Sequence, residues 1–398
     1  MTLSRRQFLA GGVAAAGTLA LGHTPIERAL GMTANASPAP ASSGHGTLVL
    51  LAMYGGNDGL NTVVPYHDAA YLQGRPTLGY QPSEVIPLDN DLALNPSLKG
   101  LKSLWDAKRL AIVRGVGYPS PNYSHFRSMD IWQTGAPDTT ESTGWLGRWL
   151  DHLGGKDPLV ALSIGPTVPR LLVGSSAAGA SIPTGKLAFP GAEAPIASLS
   201  TPFAGESPLQ ARAAQSGADL LSVLHSVQGA LGTSAPGTAS SSVGQQLDLV
   251  ARLIKGGLPT RVYVVNAVGF DTHFDEKAGH TRLLGEVDAA VTDFVHAMEA
   301  DPKGAGVVLM TFSEFGRRVA ENASGGTDHG SAAPLFVAGP GVSGGYFGDQ
   351  PSLTNLDNGN LRFTTDFRRV YATVAAKVLG IDPALVLLGK TYPTLDFV

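Results

Sequence analysis

The stretch Thr47-Leu48-Val49-Leu50-Leu51-Ala52-Met53, followed after Tyr54 by Gly55-Gly56-Asn57-Asp58-Gly59-Leu60-Asn61, decides the reading of the whole chain. An apolar run of this length, bounded by glycines and lacking polar alternation, is the pattern of a strand buried on both faces. Such strands belong to parallel sheets covered by helices, which bind ligands in the crevice beyond the carboxyl ends of their strands. The glycine-rich segment stands where that crevice opens, and Asp58 places a carboxylate there suited to holding a cation.

Working outward, further apolar runs at 110–113, 159–164, 261–268, 307–312 and 335–338 read as buried strands. Helical periodicity marks 95–106, 124–132, 146–153, 242–254, 281–300 and 366–379. Strand and helix alternate, which predicts an α/β fold with a doubly wound, mostly parallel sheet flanked by helices. Residues 174–237 turn rich in Ala, Ser, Gly and Pro around one helix-like piece at 211–231, read as an insertion or cap; a linker between two domains is the alternative. The expected working domain runs over 45–398.

The N-terminus opens Ser4-Arg5-Arg6-Gln7-Phe8-Leu9, then an apolar run of small residues over 10–22, then Ala34-Asn35-Ala36. This is the three-part pattern of a twin-arginine signal peptide over 1–36, whose partner is the twin-arginine translocase. The run is about 13 residues where a spanning helix needs about 20, so no permanent membrane anchor is expected. The predicted location is periplasmic or extracellular. With no cysteine in the chain, a lipoprotein anchor, a disulfide framework and thiolate metal sites are excluded. The net charge of −4, with signs interspersed, gives no basic block for nucleic acid or an anionic membrane surface. A small molecule or a polymer is the expected partner.

Four polar clusters follow the apolar strands. The first holds Asp58. In the second, Asn122-Tyr123-Ser124-His125-Phe126, Ser124 stands at a helix start, where it is either an N-cap or a nucleophile served by backbone N–H groups. Ser128, one turn on, is the rival nucleophile. The third, Gly269-Phe270-Asp271-Thr272-His273, offers a carboxylate and an imidazole two residues apart, a pair able to ligate one metal from an extended segment. The fourth, from Ser313-Glu314-Phe315-Gly316-Arg317 to Gly326-Thr327-Asp328-His329-Gly330, adds two acids, an imidazole and a guanidinium.

These motifs, in this order, resemble the domain of unknown function 1501 family, itself similar to the alkaline phosphatase and sulfatase superfamily. The resemblance implies an alkaline phosphatase-like fold and a site holding one or two divalent ions. It places Asp58 as the acid after the first strand, Ser124 as the nucleophile, Asp271 and His273 after the middle strand, and His329 as the late histidine. Glu314 falls where the superfamily has Asp in a Ser-Asp-His-Gly turn, and Phe315 replaces the histidine of that turn. The absence of cysteine excludes a cysteine-derived formylglycine, which disfavours the standard sulfatase mechanism.

The expected function is therefore a metal-dependent hydrolase of phosphate or sulfate esters, on a small molecule or an extracellular polymer. Asp58, Asp271, His273, Glu314 and His329 are the expected metal ligands, and zinc, manganese, calcium and magnesium all remain open. Ser124, with His125 as acid or base and Arg317 steadying the anionic group, is the expected catalytic set. The alternative is a secreted binding or assembly protein on the same scaffold without chemistry.

Overall fold

The computed structural model describes residues 46–155, 157–185 and 192–398. The signal peptide expected over 1–36 lies outside the described residues. The main sheet is built from β1 (Thr47–Tyr54), β2 (Leu110–Gly117), β3 (Ala161–Ile164), β4 (Ala180–Ile182), β5 (Val262–Val268), β6 (Val307–Phe312), β7 (Ala333–Ala338), β8 (Gly345–Phe347) and β9 (Thr365–Asp366). Their spatial order is β8-β2-β7-β6-β1-β5-β3-β4, with β9 also on β2. β1 pairs parallel with both β5 and β6, through Leu48 opposite Val262 and Val308. Only β7 runs antiparallel to its neighbours, β2 and β6.

β1 is central because both of its faces are covered. Val49, Leu51 and Met53 join one apolar core with α1 (Lys99–Asp106), α4 (Pro208–Leu231), α5 (Ser242–Lys255) and α6 (Glu276–Glu299). Leu48, Leu50 and Ala52 join a second core with α2 (His125–Thr134), α3 (Trp145–His152) and α7 (Phe367–Val374). Period-two alternation thus splits one apolar run between two cores, each fully buried Leu or Val contributing about 1.5–3 kcal/mol. The architecture is the doubly wound, mostly parallel sheet flanked by helices that the sequence predicts. Among the described residues no helix is long and apolar enough to cross a membrane.

Some boundaries differ from the sequence expectation. α6 starts at Glu276, five residues before the expected 281, because Glu276 and His280 are buried polar residues that blur the apolar stripe. The helix expected over 366–379 is α-helical only through Val374 and continues as a π-helical stretch, Ala375–Leu379. Within the expected insertion, Ala180–Ile182 is the sheet's edge strand, and a capping box of Ser207 and Gln210 starts α4. The carboxyl ends of β1, β2, β5 and β6 all open onto one edge of the sheet. A hairpin of Arg317–Glu321 and Thr327–His329 folds back over that edge.

Candidate functional site

The loop after β1 can approach the loop after β5 because position 55 is glycine. Gly55 has a φ of +123°, and a Cβ there would lie 2.3 Å from the Asp271 nitrogen. The close approach puts the Gly55 and Phe270 carbonyls around Arg317, which is fully buried at the foot of the site. Arg317 Nε donates to the Gly56 carbonyl at 2.7 Å, Nη1 to that of Thr327 at 2.8 Å, and Nη2 to Asp271 Oδ1 at 2.7 Å. Burial resists the charge on Asp271. The Arg317 bond and charge, with His273 and His125 nearby, nonetheless hold its carboxyl below the usual range.

Three imidazoles surround this carboxylate. His329, at the end of the hairpin, donates Nδ1–H to the Tyr123 carbonyl at 2.7 Å, which leaves Nε2 as a lone pair. That Nε2 lies 3.4 Å from Asp271 Oδ1. Burial lowers the His329 pKa, with the Arg317 charge adding to it against the Tyr123 and Asp271 bonds, so the neutral ring is favoured. His273 Nε2 lies 3.0 Å from Asp271 Oδ1 and 3.0 Å from His329 Nε2. His125, the first residue of α2, has Nδ1 2.8 Å from Glu314 Oε1 and Nε2 3.5 Å from Asp271 Oδ2. Its Nε2 is buried without a hydrogen-bond partner.

These tautomers define what the site can hold. With Nδ1–H of His125 committed to Glu314 and that of His329 to Tyr123, both Nε2 atoms present lone pairs to an ionised carboxylate. Lone pairs facing one another repel unless a proton or a cation lies between them. The donor atoms of His125, Asp271 and His329 all fall within 4.8 Å of one another. The tighter set of Asp271 Oδ1, His273 Nε2 and His329 Nε2, with separations of 3.0–3.4 Å, has the spacing of donors about 2.0–2.2 Å from a shared ion. The residues therefore fit a divalent cation.

The structure brings Asp271, His273 and His329 together. Glu314 sits one layer behind, its Oε1 also accepting the Gly55 N–H at 2.9 Å and its Oε2 3.2 Å from Ser313 Oγ. Asp58 lies away from the cluster, where Arg75 grips both of its carboxylate oxygens, the Nη2 to Oδ1 bond measuring 2.9 Å; both side chains are fully buried. Arg317 has each guanidinium nitrogen bonded within the protein. Ser124 is the exposed N-cap of α2, and its hydroxyl makes no capping hydrogen bond. Ser128 is buried, 2.7 Å from the Tyr118 hydroxyl, and donates to the Glu314 carbonyl. Phe315 packs on the rings of His125 and His329, at centroid distances of 4.9 and 4.5 Å.

A second polar cluster underlies the site. Glu276 lies beside Asp58, and its Oε2 accepts from Thr327 Oγ1 at 2.6 Å. Burial, with the Asp58 charge beside it, pushes Glu276 up to about 9, so its carboxyl keeps its proton at neutral pH. His280 is fully buried, with Nε2 2.9 Å from Asn57 Oδ1, and burial pulls its pKa down to about 4. Arg75, Glu276 and His280 belong to none of the polar clusters that follow the strands in the sequence. The spacing of the last two, one helical turn apart, was the available signal.

A family model described as a protein of unknown function (DUF1501) matches residues 114–388. The chain belongs to this family. The matched DUF1501 region takes in His125, Asp271, His273, Glu314 and His329, and starts after Asp58. No curated protein sequence matches the chain. Among solved structures, the DUF1501 chain is similar to an alkaline phosphatase superfamily protein from Vibrio parahaemolyticus, at 12% identity and a TM-score of 0.43 over 98% of this chain and 80% of that one. It is also similar to the lipoteichoic acid synthase LtaP from Listeria monocytogenes, at 9% identity and a TM-score of 0.36 over 86% and 74% of the two chains. A third similar structure is the C-terminal periplasmic domain of EcEptC from Escherichia coli, at 12% identity and a TM-score of 0.38 over 88% and 89%.

Proposed function

We propose that this DUF1501 chain is an exported, metal-dependent hydrolase of phosphate or sulfate esters. The observation that carries the reading is the pair of imidazole lone pairs, on His125 Nε2 and His329 Nε2, aimed at the Asp271 carboxylate. His125, Asp271, His273 and His329 would hold the ion. Three imidazoles with one carboxylate suit zinc or a neighbouring first-row ion better than calcium or magnesium.

When bound, a divalent cation supplies positive charge that polarises an ester oxygen and lowers the pKa of a nearby hydroxyl. The chain's own residues set up the rest. Glu314 and the Tyr123 carbonyl fix the imidazole tautomers, and Arg317 fixes the Asp271 carboxylate. This makes Arg317 a positioning residue, since its guanidinium is turned inward. Ser124 keeps its hydroxyl out of a capping bond one residue before His125, at the amino end of a ten-residue helix where developing negative charge is favoured.

Elemental analysis of the purified chain tests the reading, with Asp271→Ala and His273→Ala alongside. The expected result is near-stoichiometric metal in the parent, its loss from both variants, and hydrolysis of p-nitrophenyl phosphate or sulfate that follows metal content. A folded parent that takes up no metal even on reconstitution would sink the hydrolase reading and leave a binding protein.

A further inference from the structure

Ten large apolar side chains are exposed among the described residues, and five of them, Tyr123, Phe126, Val268, Phe274 and Phe363, lie at the edge that holds the metal-binding cluster. Phe126 directly follows His125 and is 92% exposed; Phe274 directly follows His273 and is 70% exposed. Val268 ends β5, and Phe363 packs beside Gly117 at the end of β2. Isolated surface apolar residues need no explanation, but a group around one polar site does.

Local structure does not account for the two phenylalanines. The buried face of α2 is formed by Ser128, Met129, Ile131 and Trp132, and Phe126 is not on it. Phe274 precedes Asp275, the N-cap of α6, where an apolar residue can staple the fourth helical position; that position is Gly279, which has no side chain to meet. Asp275 holds a left-handed φ of 43°, a strained conformation for a residue with a side chain, in the turn that presents Phe274.

We infer that Phe126 and Phe274 form an apolar rim that takes the alkyl or aryl group of an amphiphilic ester whose anionic end lies at the His125–Asp271–His329 cluster. This inference rests on the hydrolase reading and adds its substrate class. Phenylalanine and valine offer apolar surface without a polar handle, whereas a sugar ring needs hydrogen-bond partners beside the aromatic face. The one hydroxyl in the group, on Tyr123, already accepts from Asn360 Nδ2 at 3.1 Å.

Isothermal titration of the zinc-loaded full chain with methyl-, butyl- and octylphosphonate tests the inference. A fully buried methylene is worth about fourfold in affinity, so partial contact along an octyl chain is expected to tighten binding at least about tenfold over methyl. In the Phe126→Ala/Phe274→Ala double variant that ratio is expected to fall below about threefold. A parent series flat in chain length, with methylphosphonate bound, overturns the inference and leaves the hydrolase reading standing. A flat series together with phenylalanine-dependent sedimentation on phosphatidylcholine vesicles also overturns it and assigns the rim to a bilayer. If no phosphonate binds, the metal-centred reading fails. Fluorescence of 1-anilinonaphthalene-8-sulfonate then decides the rim alone: enhancement lost in the double variant supports it, and no enhancement in the parent overturns it.

Discussion

Glu314 stands behind His125, with Oε1 2.8 Å from the imidazole Nδ1, and so decides which nitrogen the ring turns to the site. Glu314 is itself buried and held by the Gly55 N–H, so it cannot follow a shifted ring without breaking that bond. Outer carboxylates of this kind orient a ligating imidazole and raise its basicity. Glu314→Gln is expected to lower zinc affinity by about 10–100-fold while the chain stays folded. Competition with a chromophoric chelator reads this directly. Unchanged affinity would remove Glu314 from the support of the site.

Asp58 and Arg75 make a buried ion pair whose guanidinium also bonds the Val319 and Arg318 carbonyls of the hairpin, at 3.0 and 2.8 Å. Removing one partner leaves an uncompensated buried charge, which costs about 3–5 kcal/mol. Asp58→Ala is expected to show that loss in urea unfolding, while the folded fraction keeps the parent's metal content. A stable Asp58→Ala protein lacking metal would instead return Asp58 to the ligand set.

Glu276 and His280 give the chain opposite pH limbs. Glu276 is raised from 4.5 to about 9, chiefly by burial and then by the Asp58 charge, so the folded state keeps a proton that the unfolded chain releases. Its contribution favours folding fully below about 4.5 and is lost as pH rises toward 9. His280 is lowered from 6.5 to about 4, so its contribution is present above 6.5 and lost as pH falls toward 4. Glu276→Gln keeps an acceptor for Thr327 but cannot ionise. Its stability relative to the parent is expected to rise with pH, by on the order of 1 kcal/mol or more between about pH 5 and 8. Denaturant midpoints at several pH values would show this, and a constant difference would contradict the assignment.

The sheet was legible because strands such as β1, β5 and β6 carry their signal in uninterrupted apolar runs. β8 and β9 were not, since three- and two-residue strands at one side of a sheet have no pattern of their own. In the site, Asp271, His273 and His329 were legible as polar residues in loops after strands. The roles of Glu314, Asp58 and Arg317 were not, because sequence places a side chain in a loop without saying what it meets. Asp58 meets Arg75, brought in from a loop 17 residues on, and Arg317 turns inward to the carbonyls of Gly55 and Gly56. Such pairings depend on the path of the backbone, which residue types alone do not encode.

Two glycines separate backbone strain from site geometry. Gly154 has a φ of +69° with no atom within 4 Å of a would-be Cβ, so Gly154→Ala pays conformational strain alone, about 1–2 kcal/mol, with metal content unchanged. Gly55 has a φ of +123°, and its would-be Cβ lies 2.3 Å from the Asp271 nitrogen and 2.6 Å from the Phe270 carbonyl carbon. Relief there requires the β1 and β5 loops to part, which breaks the Gly55 bonds to Glu314 and Arg317 and shifts Asp271 with its loop. Gly55→Ala is therefore expected to cost more stability than Gly154→Ala and to lose metal as well. Elemental analysis and urea unfolding of both variants decide the matter. Equal stability losses with metal retained in Gly55→Ala would show that the approach of these loops does not hold the site together.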